Sequence, residues 1–64
     1  DPLSERELEV LHLMAQGLRN KAIADLLGLA PATIKAHLYN SYSKLDVGSR
    51  TEAIAKARSL GLID

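Results

Sequence analysis

The chain of 64 residues contains no cysteine, tryptophan or phenylalanine, and two tyrosines are its only aromatic residues. The absence of cysteine excludes disulfides and thiolate metal sites, and it fits a reducing, cytoplasmic environment. The core has to be built from aliphatic side chains. No apolar run approaches the roughly 20 residues of a membrane-spanning helix, and residues 1–64 contain no basic-then-apolar stretch of the kind found in secretory leaders. Because the sequence begins at Asp1 without a methionine, we expect it to be a fragment of a longer protein.

The net charge is zero, yet the charges are distributed unevenly along the chain. Residues 1–18 carry four acidic residues and one basic residue, whereas residues 19–44 carry four basic residues and one acidic residue. Residues 45–64 are balanced. The positive charge therefore lies in the middle of the chain, and this local field matters more for an anionic partner than the net charge.

The first helix is predicted over about residues 4–16. Ser4 and Glu7 have the spacing of a capping box, in which each residue bonds the backbone N–H of the other. Gly17 is expected to end the helix, because glycine takes the left-handed conformation without steric cost. Between these signals lies an apolar stripe at helical spacing, formed by Leu8, Val10, Leu11, Met14 and Ala15. This segment is interpreted as scaffold.

Two further helices, over about residues 20–27 and 31–45, are separated by a short turn. Asn20 is the expected N-cap of the second helix, and Gly28 is expected to end it. Pro31 suits the first position of the third helix, where its missing N–H would be unpaired in any case. The pattern predicts a helix-turn-helix over about residues 20–39.

The third helix has two contrasting faces, since successive side chains turn by about 100° around its axis. One face is apolar and predicted to be buried, with Ile34, Leu38, Ser41 and Leu45. The other carries small, polar and basic side chains, namely Ala32, Thr33, Lys35, Ala36, Tyr39, Asn40 and Ser43. Such a face suits the major groove of DNA, although an ordinary solvated helix face has a similar composition.

A fourth helix is predicted over about residues 49–60. Ser49 and Glu52 repeat the spacing of the capping box, and Gly61 is expected to end the helix. Its thin stripe, rich in alanine, either packs against the third helix or partly serves a second copy of the chain. Leu62 and Ile63 are expected to fold back onto the core. Residues 1–64 are therefore predicted to form one all-α domain, a four-helix bundle with a central helix-turn-helix.

The sequence resembles the LuxR-type (GerE-like) helix-turn-helix domain of bacterial transcription regulators. The resemblance extends from Leu3 to Ile63 and rests on the order and spacing of several strings. They are LSERELEVL (3–11), AQGL (15–18), NKAIADLLGL (20–29), TIKAHL (33–38), KLDV (44–47) and SRTEAIAKA (49–57).

The resemblance implies sequence-specific binding to double-stranded DNA, with the third helix in the major groove. It also implies dimers that read two half-sites and pair through the fourth helix, which assigns dimer contacts to Ala53, Lys56 and Ala57. By position, the base-edge contacts are Lys35 and Ala36, with Tyr39 one turn further along and Asn40 on the same face. The implied phosphate contacts are Asn20, Lys21, Thr33 and Lys44. RNA polymerase is a further implied partner, and no cofactor is expected.

The chain departs from the family pattern at several positions. Arg19 stands where the family usually has a capping serine, and it is expected to add a phosphate contact. Ala30 replaces the Ser or Thr that usually caps the third helix, and Tyr39 replaces a basic or polar residue. Ser41 replaces a buried isoleucine. Its hydroxyl is expected to bond the carbonyl of residue 37, and its small volume is expected to leave the core underfilled.

Two other classes of function are alternatives to DNA binding. A protein-interaction module on the same fold is compatible with the zero net charge and with the uncharged Ala36 and Tyr39. Such a module would have no DNA binding to lose when Lys35 is replaced. An enzyme is disfavoured, because the sequence offers no nucleophile–base–acid arrangement and no glycine-rich phosphate loop.

Overall fold

The computed structural model describes residues 2–64, so Asp1, counted above among the acidic residues, lies outside the described residues. Four helices follow one another: α1 (Glu5–Ala15), α2 (Asn20–Leu27), α3 (Pro31–Leu45) and α4 (Arg50–Ser59). No strand occurs in residues 2–64. The predicted all-α class is confirmed, and the predicted bounds agree to within one residue at each end. α3 packs against each of the other three helices.

The outer helices α1 and α4 begin at serine caps. Ser4 Oγ accepts from Glu7 N at 3.1 Å, and Ser4 N donates to Glu7 Oε1 at 2.8 Å, which confirms the capping box. Ser49 Oγ likewise accepts from Glu52 N at 3.3 Å. However, Glu52 Oε2 accepts from Gly48 N at 3.2 Å and not from Ser49 N. The second capping box is therefore only half formed.

The inner helices α2 and α3 begin differently. Arg19, not Asn20, is the N-cap of α2, so the prediction for Asn20 is wrong. The carbonyl of Arg19 accepts from Ile23 N at 3.0 Å, which starts the helix one residue earlier than a cap at Asn20 allows. α3 begins as expected, with Ala30 as cap and Pro31 at the first position. Neither Arg19 nor Ala30 supplies a side-chain hydrogen bond to its helix.

The core is aliphatic and takes residues from all four helices and from the C-terminal tail. Its buried members are Val10, Leu11, Met14, Ile23, Ala24, Ile34, Leu38, Leu45, Ala53, Ala57 and Ile63. The expectation for the tail is right for Ile63 only, because Leu62 remains 40% exposed. Among the described residues, no helix is long and apolar enough to cross a membrane.

The burial of α4 corrects the implied dimer contacts. Ala53 and Ala57 are both 0% exposed inside a single chain, so neither side chain has surface left for a second copy. Their methyl groups fit where α4 packs against α1 and α3, which explains the alanine-rich stripe as a packing feature. Lys56 is exposed and stays available.

Arg50 ties the beginning of α4 to the end of α1. Its Nη2 atom donates to the carbonyl of Leu18 at 2.8 Å and to the carbonyl of Met14 at 3.3 Å. Carbonyls at a helix C-terminus lack partners within the helix, and a cation is also favoured there by the helix dipole. Arg50 and Leu18 are 32 residues apart in sequence, so the bond joins the beginning of α4 to the segment that follows α1.

Ser41 has the environment that its place in the pattern predicts. It is 0% exposed, and its Oγ atom donates to the carbonyl of His37 at 2.7 Å, as expected. No pocket is found in the described part of the chain. A space of methyl size is too small to form a pocket, so the expected underfilling beside this serine stays a prediction.

Ser41→Ala is expected to change the free energy of unfolding by less than about 1 kcal/mol. The substitution removes the hydroxyl donor, and the His37 carbonyl that accepted from it lies within α3 and keeps its backbone partner in the helix. Ser41→Ile is expected to raise the free energy of unfolding by about 1–3 kcal/mol, because the larger side chain fills the space that the serine is predicted to leave. Urea denaturation of the two variants and the parent chain checks both values. A less stable isoleucine variant would show that the site cannot take the larger side chain.

Candidate nucleic-acid interface

The exposed face of α3 forms the candidate surface. Ile34, Leu38, Ser41 and Leu45 anchor the opposite face in the core, so the orientation of the helix is fixed. Thr33 and His37 are half-buried at the edges of this face. The exposed residues of this face are Ala32, Lys35, Ala36, Tyr39, Asn40 and Ser43. The predicted division of the helix into two faces is confirmed.

The beginnings of α2 and α3 are open to an anion. Neither helix has a side-chain cap or an acidic residue in its first turn. By contrast, α1 and α4 begin at serines and carry glutamates in their first turns. Free N–H groups and the positive end of the helix dipole favour phosphate at a helix N-terminus. The two helices of the central pair are thus the ones whose N-termini remain available.

Three cations in or beside α2 and α3 have no partner among residues 2–64: Arg19 is the N-cap of α2, Lys21 lies in its first turn, and Lys35 lies in the second turn of α3. Arg19, Lys21 and Lys35 are exposed, and none of them forms an ion pair or a side-chain hydrogen bond within the described residues. Asn20, the first residue of α2, is half-buried between two of these cations. The cations predicted to bind DNA are therefore free to do so, with one exception.

The exception is Lys44, which is engaged within the domain. Its Nζ atom lies 2.7 Å from Glu7 Oε1 and donates to the carbonyl of Pro2 at 3.2 Å. Glu7 is only 4% exposed. Burial raises the pKa of Glu7, but the hydrogen bonds from Lys44 and Ser4 outweigh it, and the pKa lies below its ordinary value of 4.5. The pair joins α1 to the last turn of α3.

The two tyrosines of α3 contact each other at the edge of the exposed face. Their ring centroids are 6.5 Å apart, and the ring planes are inclined by 74°, which is an edge-to-face pair. Tyr39 is 61% exposed, whereas Tyr42 is half-buried and packs against the core. Burial raises the pKa of the Tyr42 hydroxyl, an effect that the nearby charge of Arg50 partly opposes. The hydroxyl of Tyr42 therefore stays protonated at neutral pH.

Sequence reasoning missed two residues, Arg50 and Tyr42, and one contact, the pairing of Glu7 with Lys44. The roles of Arg50 and Tyr42 and the pairing of Glu7 with Lys44 all depend on contacts between positions that the sequence pattern treats separately. One signal was available for Tyr42, because residues three apart on a helix are neighbours and Tyr39 precedes it by that distance. No local signal pairs a residue of the first helix with one 37 positions away.

Comparison of the sequence with known proteins identifies close relatives. Residues 1–57 match the family described as "Bacterial regulatory proteins, luxR family". The nitrate/nitrite response regulator protein NarP of Escherichia coli (strain K12) is 53% identical over 51 residues, which are 80% of this chain and 24% of NarP. The HTH-type transcriptional regulator MalT of Vibrio campbellii is 46% identical over 59 residues, covering 92% of this chain and 6% of MalT. The chain thus spans a small part of these relatives.

Solved structures give the same result for the fold. The response regulator ChrA of a heme-sensing two-component system superposes with a TM-score of 0.95 and 48% identity, over 98% of this chain and 31% of that chain. The transcription factor GerE superposes with a TM-score of 0.93 and 31% identity, over 97% of this chain and 92% of GerE. This is a family of regulatory proteins and not a class of enzymes. The chain is a helix-turn-helix domain that belongs to the luxR family of bacterial regulatory proteins.

Proposed function

We propose that this domain binds double-stranded DNA in a sequence-specific manner, with α3 in the major groove. The proposal rests on two observations: α2 and α3 begin without a side-chain cap, and the three exposed cations in or beside these helices have no partner among residues 2–64. Free backbone N–H groups and cations together form a phosphate-binding surface. The exposed face of α3, anchored from behind by the core, then meets the base edges.

The proposed contacts divide into two groups. Arg19, Asn20, Lys21 and Thr33 lie at or near the two N-termini and are assigned to phosphates, which position the domain without reading sequence. Lys35 and Ala36 are assigned to base edges, where a lysine recognises the acceptors of guanine and a methyl group contacts thymine. Asn40 lies further along the same exposed face.

The phosphate contact assigned by resemblance to Lys44 has less support. An ammonium group that already bonds Glu7 at 2.7 Å would have to leave a buried carboxylate in order to reach DNA. We therefore assign Lys44 to the stability of the free domain. Its contact with phosphate stays a prediction.

We further propose that the domain acts as a dimer within a longer regulator. Three free cations for each copy supply little salt-dependent affinity, and a second copy on a neighbouring half-site doubles that number. The exposed side of α4, which includes Lys56, is the proposed contact between copies, in place of the buried Ala53 and Ala57. The curated relatives named above extend well beyond this domain, so the input signal and any contact with RNA polymerase would involve the rest of the regulator.

The test is a salt titration with a duplex enriched by this protein from a random library. Fluorescence anisotropy gives the affinity at several salt concentrations. The logarithm of the affinity is expected to fall linearly with the logarithm of salt, with a slope of about −3 for one bound copy and about −5 for two. A slope near zero, or no binding even at low salt, would contradict the proposal and favour a protein-interaction module.

A further inference from the structure

Tyr39 and Tyr42 form a feature that the proposed contacts leave unused. Tyr39 projects from the exposed face of α3, and 61% of it is accessible. An exposed tyrosine usually samples several side-chain rotamers. Here its ring lies edge-to-face with the ring of Tyr42, at a centroid separation of 6.5 Å. Because Tyr42 is packed against the core, it supplies a fixed partner for a side chain that otherwise has none.

The pair restricts the position of the Tyr39 ring. An edge-to-face contact of this kind favours the paired rotamer over the others by about two- to tenfold. Ala36 precedes Tyr39 by three residues on the same exposed face, a spacing at which helical side chains are neighbours. The centre of this face is therefore apolar and ordered, although it lies among polar and basic residues.

In the major groove, the one apolar group on a base edge is the 5-methyl of thymine. A ring without charge, placed next to an alanine methyl, complements that group better than it complements the hydrogen-bonding edges of guanine, adenine or cytosine. A phosphate contact through the Tyr39 hydroxyl would use neither the ring nor Ala36. The chemistry of this face thus favours a thymine methyl.

We propose that Tyr42 is a positioning residue, which holds the Tyr39 ring against a thymine methyl and gives each half-site a thymine preference. The inference rests on the proposed DNA binding and adds to it the base that Tyr39 reads and the residue that orders Tyr39. Tyr42 itself touches no DNA. Its effect passes through the ring of Tyr39.

The test uses the duplex enriched by the parent protein, with each thymine replaced in turn by uracil, which removes only the methyl group. For the parent protein, uracil at one position in each half-site is expected to weaken binding about three- to tenfold. Tyr39→Ala is expected to abolish this sensitivity, and Tyr42→Leu to reduce it at least twofold. Tyr42→Phe, which keeps the ring but loses the hydroxyl, is the matched control and is expected to retain it.

Several results would overturn the inference. One is a parent protein that binds the duplex but shows no sensitivity to uracil at any thymine. Another is a Tyr42→Leu variant with undiminished sensitivity. If Tyr42→Leu does not fold, NMR of the parent protein decides: ring-to-ring NOEs with one χ1 rotamer for Tyr39 support the inference, and rotamer averaging contradicts it. A parent protein that binds no duplex refutes the proposed function itself, and the NMR result then still reports on the tyrosine pair.

Discussion

Replacement of Lys44 by methionine is expected to lower the free energy of unfolding by about 2–3 kcal/mol at neutral pH. Methionine keeps an unbranched side chain but removes the ammonium group that lies 2.7 Å from Glu7 Oε1. The Glu7 carboxylate, 4% exposed, then stays buried with only Ser4 as a partner. Removal of one partner from a fully buried ion pair lowers the free energy of unfolding by about 3–5 kcal/mol. We expect a smaller loss here because the Lys44 side chain is 26% exposed.

The pH dependence of this effect identifies its cause. The folded-state pKa of Glu7 lies below the ordinary 4.5, so the carboxylate contributes stability above that pH. This contribution is lost as the pH falls through the folded-state pKa. In the methionine variant, the pKa of Glu7 is expected to rise. Burial still raises this pKa, and the hydrogen bond and charge of Lys44 that lower it are gone. The difference in stability between parent and variant is therefore expected to shrink between neutral pH and about pH 3.

Urea denaturation followed by circular dichroism at several pH values measures both effects. Lys56→Met is the matched control, because Lys56 is an exposed lysine on α4 with no ion pair to any residue in 2–64. That variant is expected to stay within about 0.5 kcal/mol of the parent at every pH. Equal losses in the two variants, or a Lys44→Met effect that does not change with pH, would show that the ion pair does not stabilise the domain.

Lys35→Ala is expected to weaken binding to the enriched duplex by about 1–3 kcal/mol, or roughly five- to 150-fold. Lys35 is exposed on α3 and bonds no residue in the described part of the chain, so its removal leaves no buried group unpaired. The melting temperature should therefore stay close to that of the parent. A lysine that reads guanine also carries discrimination, and the variant is expected to accept other base pairs at that position.

The contrast with Lys21→Ala separates base reading from phosphate binding. Lys21 is exposed near the N-terminus of α2 and is assigned to a phosphate. Its removal should weaken binding to enriched and unrelated duplexes by similar factors and should make the salt slope shallower by about 1. Anisotropy titrations of both variants against both duplexes make the comparison. If Lys35→Ala lost affinity equally for the two duplexes, its assignment to a base edge would be wrong.

The elements that the sequence predicts correctly depend on local chemistry. The Ser4–Glu7 capping box, Gly28 in the left-handed conformation and Pro31 at the first helical position each involve residues close in sequence. The helical period then assigns Ile34, Leu38, Ser41 and Leu45 to the buried side of α3. These signals place the exposed face of α3 without any knowledge of the other helices. The resemblance to the family then selects the candidate base-reading residues from that face.

What the sequence could not predict depends on how the helices meet. Ala53 and Ala57 looked available to a second copy, because an alanine stripe does not itself tell which helix will cover it. Lys44 looked like a free cation, and only the packing of α1 against α3 brings it to Glu7. The error at Asn20 is different in kind. Arginine is a poor capping residue, yet the backbone of Arg19 takes the extended cap conformation without help from a side chain.

Two hydrogen bonds between residues far apart in sequence lie on either side of the central helix pair. We expect them to fix the backbone when the domain folds, so that its conformational entropy is lost at that stage. The Glu7–Lys44 bond spans 37 residues, and the bond from Arg50 to the carbonyl of Leu18 spans 32. Together they join α1 to the end of α3 and to the beginning of α4. We therefore expect α3 to be ordered when the domain folds, before any ligand arrives, and we expect the same of α2, because Ile23 and Ala24 bury it in the core. A partner that docks on this face meets a preorganised surface, and little of the binding free energy is needed to immobilise the backbone.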